Sequence, residues 1–157
     1  ESLGDSGDED LDASESNPDE VSDPEPGPVI WTGPKITFEK ENFADPGEAA
    51  NQDAITESVI LTRGGRDALY NVVLEERAGN QSPMGTGWAQ GTTANLEGLE
   101  FKPLKAAAND QLKRLPGKSF VLHLVEDDIY IDVTFISWTS GNSSGGGFSY
   151  ERSTPSE

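Results

Sequence analysis

The stretch KSFVLHLVEDDIYIDVTFISWTSGNSSGGGFSYERST constrains this chain more than any other. It reads as two apolar, β-branched runs around an acidic turn, followed by a glycine-rich loop and a closing strand. In the second run Ile129, Ile131, Val133 and Phe135 fall on one face, with Tyr130, Asp132, Thr134, Ile136 and Trp138 on the other. If Glu126 pairs with Ile129 around a two-residue Asp127-Asp128 turn, then Phe120, Leu122 and Leu124 join the apolar face. Val121, His123 and Val125 join the mixed face, and His123 lies directly across from Asp132. A three-residue loop would set Phe120, Leu122 and Leu124 against Asp132 and Thr134, so the two-residue register is the expected one.

The rest of the chain follows the same pattern. VIWTGPKITFEK (29–40) carries two short strand signals divided by Gly33-Pro34. Residues 41–54 form a polar connection with a turn at Asp45-Pro46-Gly47. Residues 55–76 read as a hairpin in which Gly64 and Gly65 supply positive φ angles and Tyr70, Val72 and Leu74 share a face. AGNQSPMGTGWAQGTTANLEG (78–98) is loop-like with Trp88 at its centre, and LEFKPL is a further short strand. KAAANDQLKRL (105–115) is the expected helix, stopped by Pro116-Gly117. Seven or eight short strands separated by Gly, Pro and Asn turns predict an all-β fold. Its simplest form is a two-sheet, jelly-roll-like β-sandwich, with a small closed barrel as the competitor.

Charge divides the chain in two. Residues 1–28 hold 11 acidic side chains, no basic ones, and only Leu3, Leu11 and Val21 as apolar side chains larger than alanine. Such a segment buries too little apolar surface to offset the entropy of ordering it, and reads as a disordered acidic linker. Setting it aside takes the net charge from −18 to −7 for residues 29–157. The expected organisation is therefore an acidic linker (1–28), a β-sandwich module (29–154) and a short C-terminal tail (155–157). Negative charge throughout argues against a nucleic-acid partner, which requires Lys and Arg to neutralise phosphates. No apolar run approaches the roughly 20 residues of a membrane span. Zero cysteines suits cytosolic and many exported proteins alike. The acidic Ser/Asp/Pro tether favours an extracellular or surface-anchored bacterial module.

Four groups of residues could carry chemistry. A His123–Asp132 pair could serve acid–base work, but no cysteine and no GxSxG elbow accompanies it. The ordinary role of such a pair is to brace a sheet. Asp127 and Asp128 in the hairpin turn, with Asp45 and Asp53 in a long loop, could supply oxygens to Ca²⁺, which takes about six to eight of them. In the linker, Asp8, Asp10 and Asp12 alternate like the start of a calcium loop, but Ala13 occupies the position that needs glycine. Trp138, Tyr130 and Trp88, with Asp132 as polar partner, could stack on and hydrogen-bond a polysaccharide, though aromatics near strand ends are usually core. The glycine tracts lack the Lys and following helix of a phosphate loop, and Gly145, Gly146 and Gly147 read as a flexible connection.

The segments VIWTGPKITFEK, NQDAITESVILTRGG, YNVV, WAQGTTANLEGLEF, VLHLVEDDIYIDVTFISW and GGGFSYERST together resemble a recurrent β-rich module of exported bacterial proteins. Modules of that group end in a pattern similar to IYLDIKFTSW…GGGFSYERST. The resemblance spans nearly all of 29–154 and implies export and a β-rich fold; it implies no enzymatic activity and no site. The leading expectation is a non-catalytic extracellular binding or adhesion module for a polysaccharide. The alternatives are a structural or protein-binding domain, stiffened by Ca²⁺, and a small secreted hydrolase using His123 or a carboxylate pair.

Overall fold

The computed structural model describes residues 28–140 and 145–156, so the acidic segment with Asp8, Asp10 and Asp12 lies outside the described residues. Two sheets form a sandwich. The larger contains β1 (Val29–Ile30), β2 (Ile36–Lys40), β6 (Thr86–Gln90), β7 (Ser119–Leu124), β8 (Ile129–Trp138) and β9 (Phe148–Arg152). Its order is β2-β9-β8-β7-β6, with β1 parallel to the start of β8. The smaller sheet is β3 (Asp53–Ala54), β4 (Ile60–Arg63) and β5 (Leu69–Asn71), in that order. In the larger sheet β6 to β9 form a meander, to which β2 adds beside β9 and β1 beside β8; the smaller sheet is a meander throughout. Among the described residues no helix is long and apolar enough to cross a membrane.

The terminal hairpin keeps its predicted faces but not its predicted register. Phe120, Leu122, Leu124, Ile131, Val133 and Phe135 are buried in the core. The loop is four residues, Val125 to Asp128, because Leu124 pairs with Ile129. Asp128 supplies the left-handed residue of that turn, at φ 53°. A slip of two leaves every side chain on its expected face, so patterning cannot distinguish the two registers. It does change neighbours: His123 faces Tyr130, and Asp132 faces Val121.

Strand β6 replaces the predicted loop around Trp88. TGWAQ lacks a β-branched run, yet it pairs residue by residue with β7, Trp88 against Leu122. On its other edge the expected LEFKPL strand contracts to one bridge, in which Trp88 and Lys102 exchange backbone hydrogen bonds of 2.8 and 2.9 Å. The predicted 105–115 helix is a single turn, α1 (Leu104–Ala107), and a separate 3₁₀ turn (Leu112–Arg114). Asn109 and Asp110 stand between them at φ 57° and 61°, a left-handed pair that no right-handed helix accommodates.

The 55–76 hairpin is present but shorter. Gly64 and Gly65 are not among the positive-φ residues. Their loop is instead held by the Arg63 side chain, which donates from Nε to Asp67 O at 2.7 Å and from Nη2 to Arg66 O at 2.9 Å. The predicted Tyr70–Leu74 strand stops at Asn71. There the buried side-chain amide accepts from Ile60 N and Val73 N and donates to Ser58 O and Met84 O, turning the chain out of the ladder.

Candidate functional site

The predicted aromatic platform is not assembled. Trp88 is 0 % exposed because its partner Leu122 lies on the inner face. Its indole N–H is satisfied by Thr86 Oγ1 at 2.9 Å. Trp138 is 8 % exposed, and the reason is a β-bulge. Between Phe135↔Tyr150 and Ser137↔Ser149 the β8 strand carries one extra residue, Ile136. A bulge reverses the alternation beyond it, so Trp138 leaves the Tyr130 face and packs edge-on against Phe135 in the core. Neither indole offers a face to a sugar ring.

Asp132 is engaged within the fold. It accepts from Thr93 N at 2.8 Å and from Thr93 Oγ1 at 2.7 Å, tying a surface loop to β8. The expected His123–Asp132 pair is therefore absent. His123 Nε2 sits 3.0 Å from Asp128 Oδ1 instead, across the hairpin turn.

The four candidate metal ligands are likewise dispersed. Asp45 caps Gly47 N at 2.8 Å, and Asp127 accepts from Thr56 Oγ1 at 2.9 Å. Asp53 is buried, with both carboxylate oxygens held by Arg152 (Nε at 2.7 Å, Nη2 at 2.8 Å) and a third bond from Tyr150 OH at 2.6 Å. This triad joins β3 of the smaller sheet to β9 of the larger. Burial, then the adjacent carboxylate, pushes the Tyr150 hydroxyl well above its ordinary range. Burial alone would lower Arg152, but the Asp53 hydrogen bonds and charge more than reverse that. Among the described residues no group of three His, Cys, Asp or Glu side chains converges as a metal site.

What the fold does assemble is a groove beside β6 and β7. Gly87 pairs directly with His123, and a Cβ there would fall 3.0 Å from Phe101 Cβ. The missing side chain lets Phe101 lie across the strand. Phe101, His123 and Tyr130 then form one aromatic cluster on the outer face. The imidazole stacks on the phenol at 4.3 Å and 6°, and Phe101 is 5.7 Å from each of them. The adjoining groove has a volume of about 420 Å³, with Met84, Phe101, Pro103, His123 and Val125 among its walls and Gln81 and Lys102 as polar members. Of the four predicted ligand-binding residues, only Tyr130 is part of this cluster. Met84 was missed because it lies in a Gly/Pro-rich segment with no periodicity to mark a face, and Phe101 because the short LEFKPL strand signal does not say which strand it crosses. Comparisons with protein-family models, with characterised proteins and with solved structures return no match.

Proposed function

We propose that residues 29–154 are a non-catalytic binding module of an exported, surface-associated bacterial protein, with the groove beside the Phe101–His123–Tyr130 cluster as its ligand surface. The ligand class this groove suits best is a polypeptide segment of another surface protein. One observation carries that choice: exposed apolar side chains gather at the groove. Met84 and Val125 are exposed in its wall, and exposed Leu74 reaches to within 3.2 Å of where a Cβ on the lining Gly85 would lie. Collected apolar exposure of this kind is characteristic of protein contact, whereas isolated exposed residues are not. Polysaccharide is the second reading, resting on Tyr130 and Phe101 with Gln81 and Lys102 available to hydroxyl groups.

Selection of peptides from a display library against the full chain tests the first reading. Selected peptides should lose about tenfold in affinity for a Met84→Ser/Val125→Ser variant, whose changes are at exposed positions. Selected peptides indifferent to that variant would place protein contact elsewhere. Affinity electrophoresis through polysaccharide gels, with Ca²⁺ and with EDTA, tests the second. Retardation abolished by Tyr130→Ala, with no peptide selected, would replace the protein reading by the saccharide one. Loss of retardation in EDTA would add Ca²⁺ to the site.

A further inference from the structure

The two edges of the larger sheet are finished differently. At β6 the edge is closed, since Trp88 exchanges backbone hydrogen bonds with Lys102. At β2, β9 pairs with one side of the strand, and no described segment pairs with the other. An unpaired edge is a template for another strand unless something blunts it. Chain length keeps residues 141–144, which join Ser140 to Gly145, from that edge. Four residues that must return to Gly145 can reach about 9 Å from it, short of Glu39, which lies about 13 Å away along the register.

The hydrogen-bonding sense of β2 follows from its neighbour. Thr154 O accepts from Gly33 N, while Ser153 N donates to Asp132 O and Gly147 O accepts from Thr139 N. Even-numbered residues of β9 therefore direct their backbone groups at β2, and odd-numbered ones at β8. Ile36, Phe38 and Lys40 lie opposite Arg152, Tyr150 and Phe148, so they hold the ladder. Thr37 and Glu39, opposite Glu151 and Ser149, turn their N–H and C=O groups outward. The side chains divide between the two faces. Lys35, Thr37 and Glu39 are exposed on the outer one. On the inner face Lys40 is buried, Phe38 is half-buried against Phe148 and Tyr150, and Ile36 is 42 % exposed. Apolar surface is thus left bare at the unpaired edge.

These residues complement themselves. Two antiparallel copies of β2 centred on Thr37 set each Lys35 opposite the other copy's Glu39, and each Ile36 opposite the other copy's Phe38. Thr37 meets Thr37, and the outward backbone groups of residues 35, 37 and 39 exchange hydrogen bonds as opposed pairs. Neither Lys35 nor Glu39 has an ion-pair partner among the described residues. A register centred on Phe38 would instead set Ile36 against the buried cation of Lys40 and leave Glu39 facing Thr37.

We propose that the outer edge of β2 pairs with the same edge of a second copy of this chain, antiparallel about Thr37, joining the two larger sheets into one. The groove beside β6 and β7 lies at the opposite edge and contributes nothing to the contact. Pairing leaves both grooves open at the two ends of the joined sheet, as a bivalent binder requires. The pairing stands or falls apart from the groove's function.

The test is a dilution series of the full chain at 0.15 M salt, where repulsion between two chains of charge −18 is screened beyond about 8 Å. The Thr37 and Glu39 amides are followed by NMR, and the mass by sedimentation equilibrium. So small an interface should dimerise with Kd on the order of 0.1–1 mM. Lys35→Glu and Glu39→Lys, both at exposed positions, should each weaken the dimer about fivefold, although the second brings the net charge closer to zero. An equimolar mixture of the two variants should recover association, since every facing pair is then opposite in charge. Thr37→Pro removes an outward N–H without breaking a bond to β9, and should abolish association. Concentration-independent amides in the folded chain, tighter association of Glu39→Lys, no recovery in the mixture, or association undiminished by Thr37→Pro would overturn the pairing. Contact of the Thr37 and Glu39 amides with residues 1–27 of their own chain would overturn it too, by assigning the edge to that segment.

Discussion

Two clusters of buried charge solve the same problem in opposite ways. In the Asp53–Arg152–Tyr150 triad, one carboxylate faces one guanidinium in bidentate geometry and a hydroxyl satisfies a further lone pair. In the Lys40–Arg63 cluster two like charges sit among backbone carbonyls, with the Trp138 ring and Thr139 Oγ1 as further partners of Arg63. A charge removed from water costs several kcal/mol unless it is paired and hydrogen-bonded. The triad is closed and internally neutral, as a tie between two sheets should be. The cation cluster has no carboxylate in salt-bridge distance among the described residues.

Breaking each cluster should separate them by sign. Asp53→Ala leaves Arg152 buried without a counter-charge and should cost about 3–5 kcal/mol in urea unfolding. A combined Asp53→Leu/Arg152→Met variant should recover most of that loss, because no lone charge then remains inside. Tyr150→Phe removes one hydrogen bond to a charged acceptor and should cost about 2 kcal/mol. It should also make the chain less sensitive to alkali, since the folded hydroxyl holds its proton to higher pH than the unfolded one. Stability tied to that proton is present below pH 10.0 and is lost as pH rises above it.

The smallest effect, and the sharpest contrast, is expected at Lys40. Lys40→Met removes a buried cation and should leave stability unchanged or raise it by about 1 kcal/mol. The folded pKa of Lys40 is lowered, so the unfolded chain binds its proton more tightly. The penalty for burying the cation is therefore complete below the lowered value and is relieved as pH climbs towards 10.5. The advantage of Lys40→Met over wild type should shrink across that window. Arg63, the carboxylate of Asp67 and the sequence neighbours Glu39 and Glu41 are common to both proteins and cancel to first order in the difference. An advantage that grows with pH would mean that Lys40 has a counter-charge after all.

The last forty residues show how far patterning reaches. The inner face of β7 and β8 was legible because alternation is a property of each strand alone. The β9 span, Phe148–Arg152, was legible for the same reason. Within GGGFSYERST each element now has a physical task. The glycines permit the crossing at Gly64, Phe148 and Tyr150 fill the core, and Arg152 ties the sheets together through Asp53. The groove was far less legible. Tyr130 was visible as an outer-face aromatic, but Phe101 reaches it only because Gly87 makes room one strand away. Trp88 looked like a loop residue because TGWAQ carries no pattern of its own and takes its face from β7.

The sequence by itself determined the class of this fold: a two-sheet β-sandwich whose terminal hairpin buries Phe120, Leu122, Leu124, Ile131 and Val133. These follow from period-two alternation, which is local. Only the tertiary structure decided the hairpin's register, since a slip of two conserves every face. It alone placed the bulge at Ile136, which depends on how β9 pairs and which carries Trp138 inside. It alone brought Lys40 and Arg63 to the same glycine tract, from strands of different sheets. Alternation reports which way a side chain points, while its neighbours are set by pairings between segments far apart in the chain.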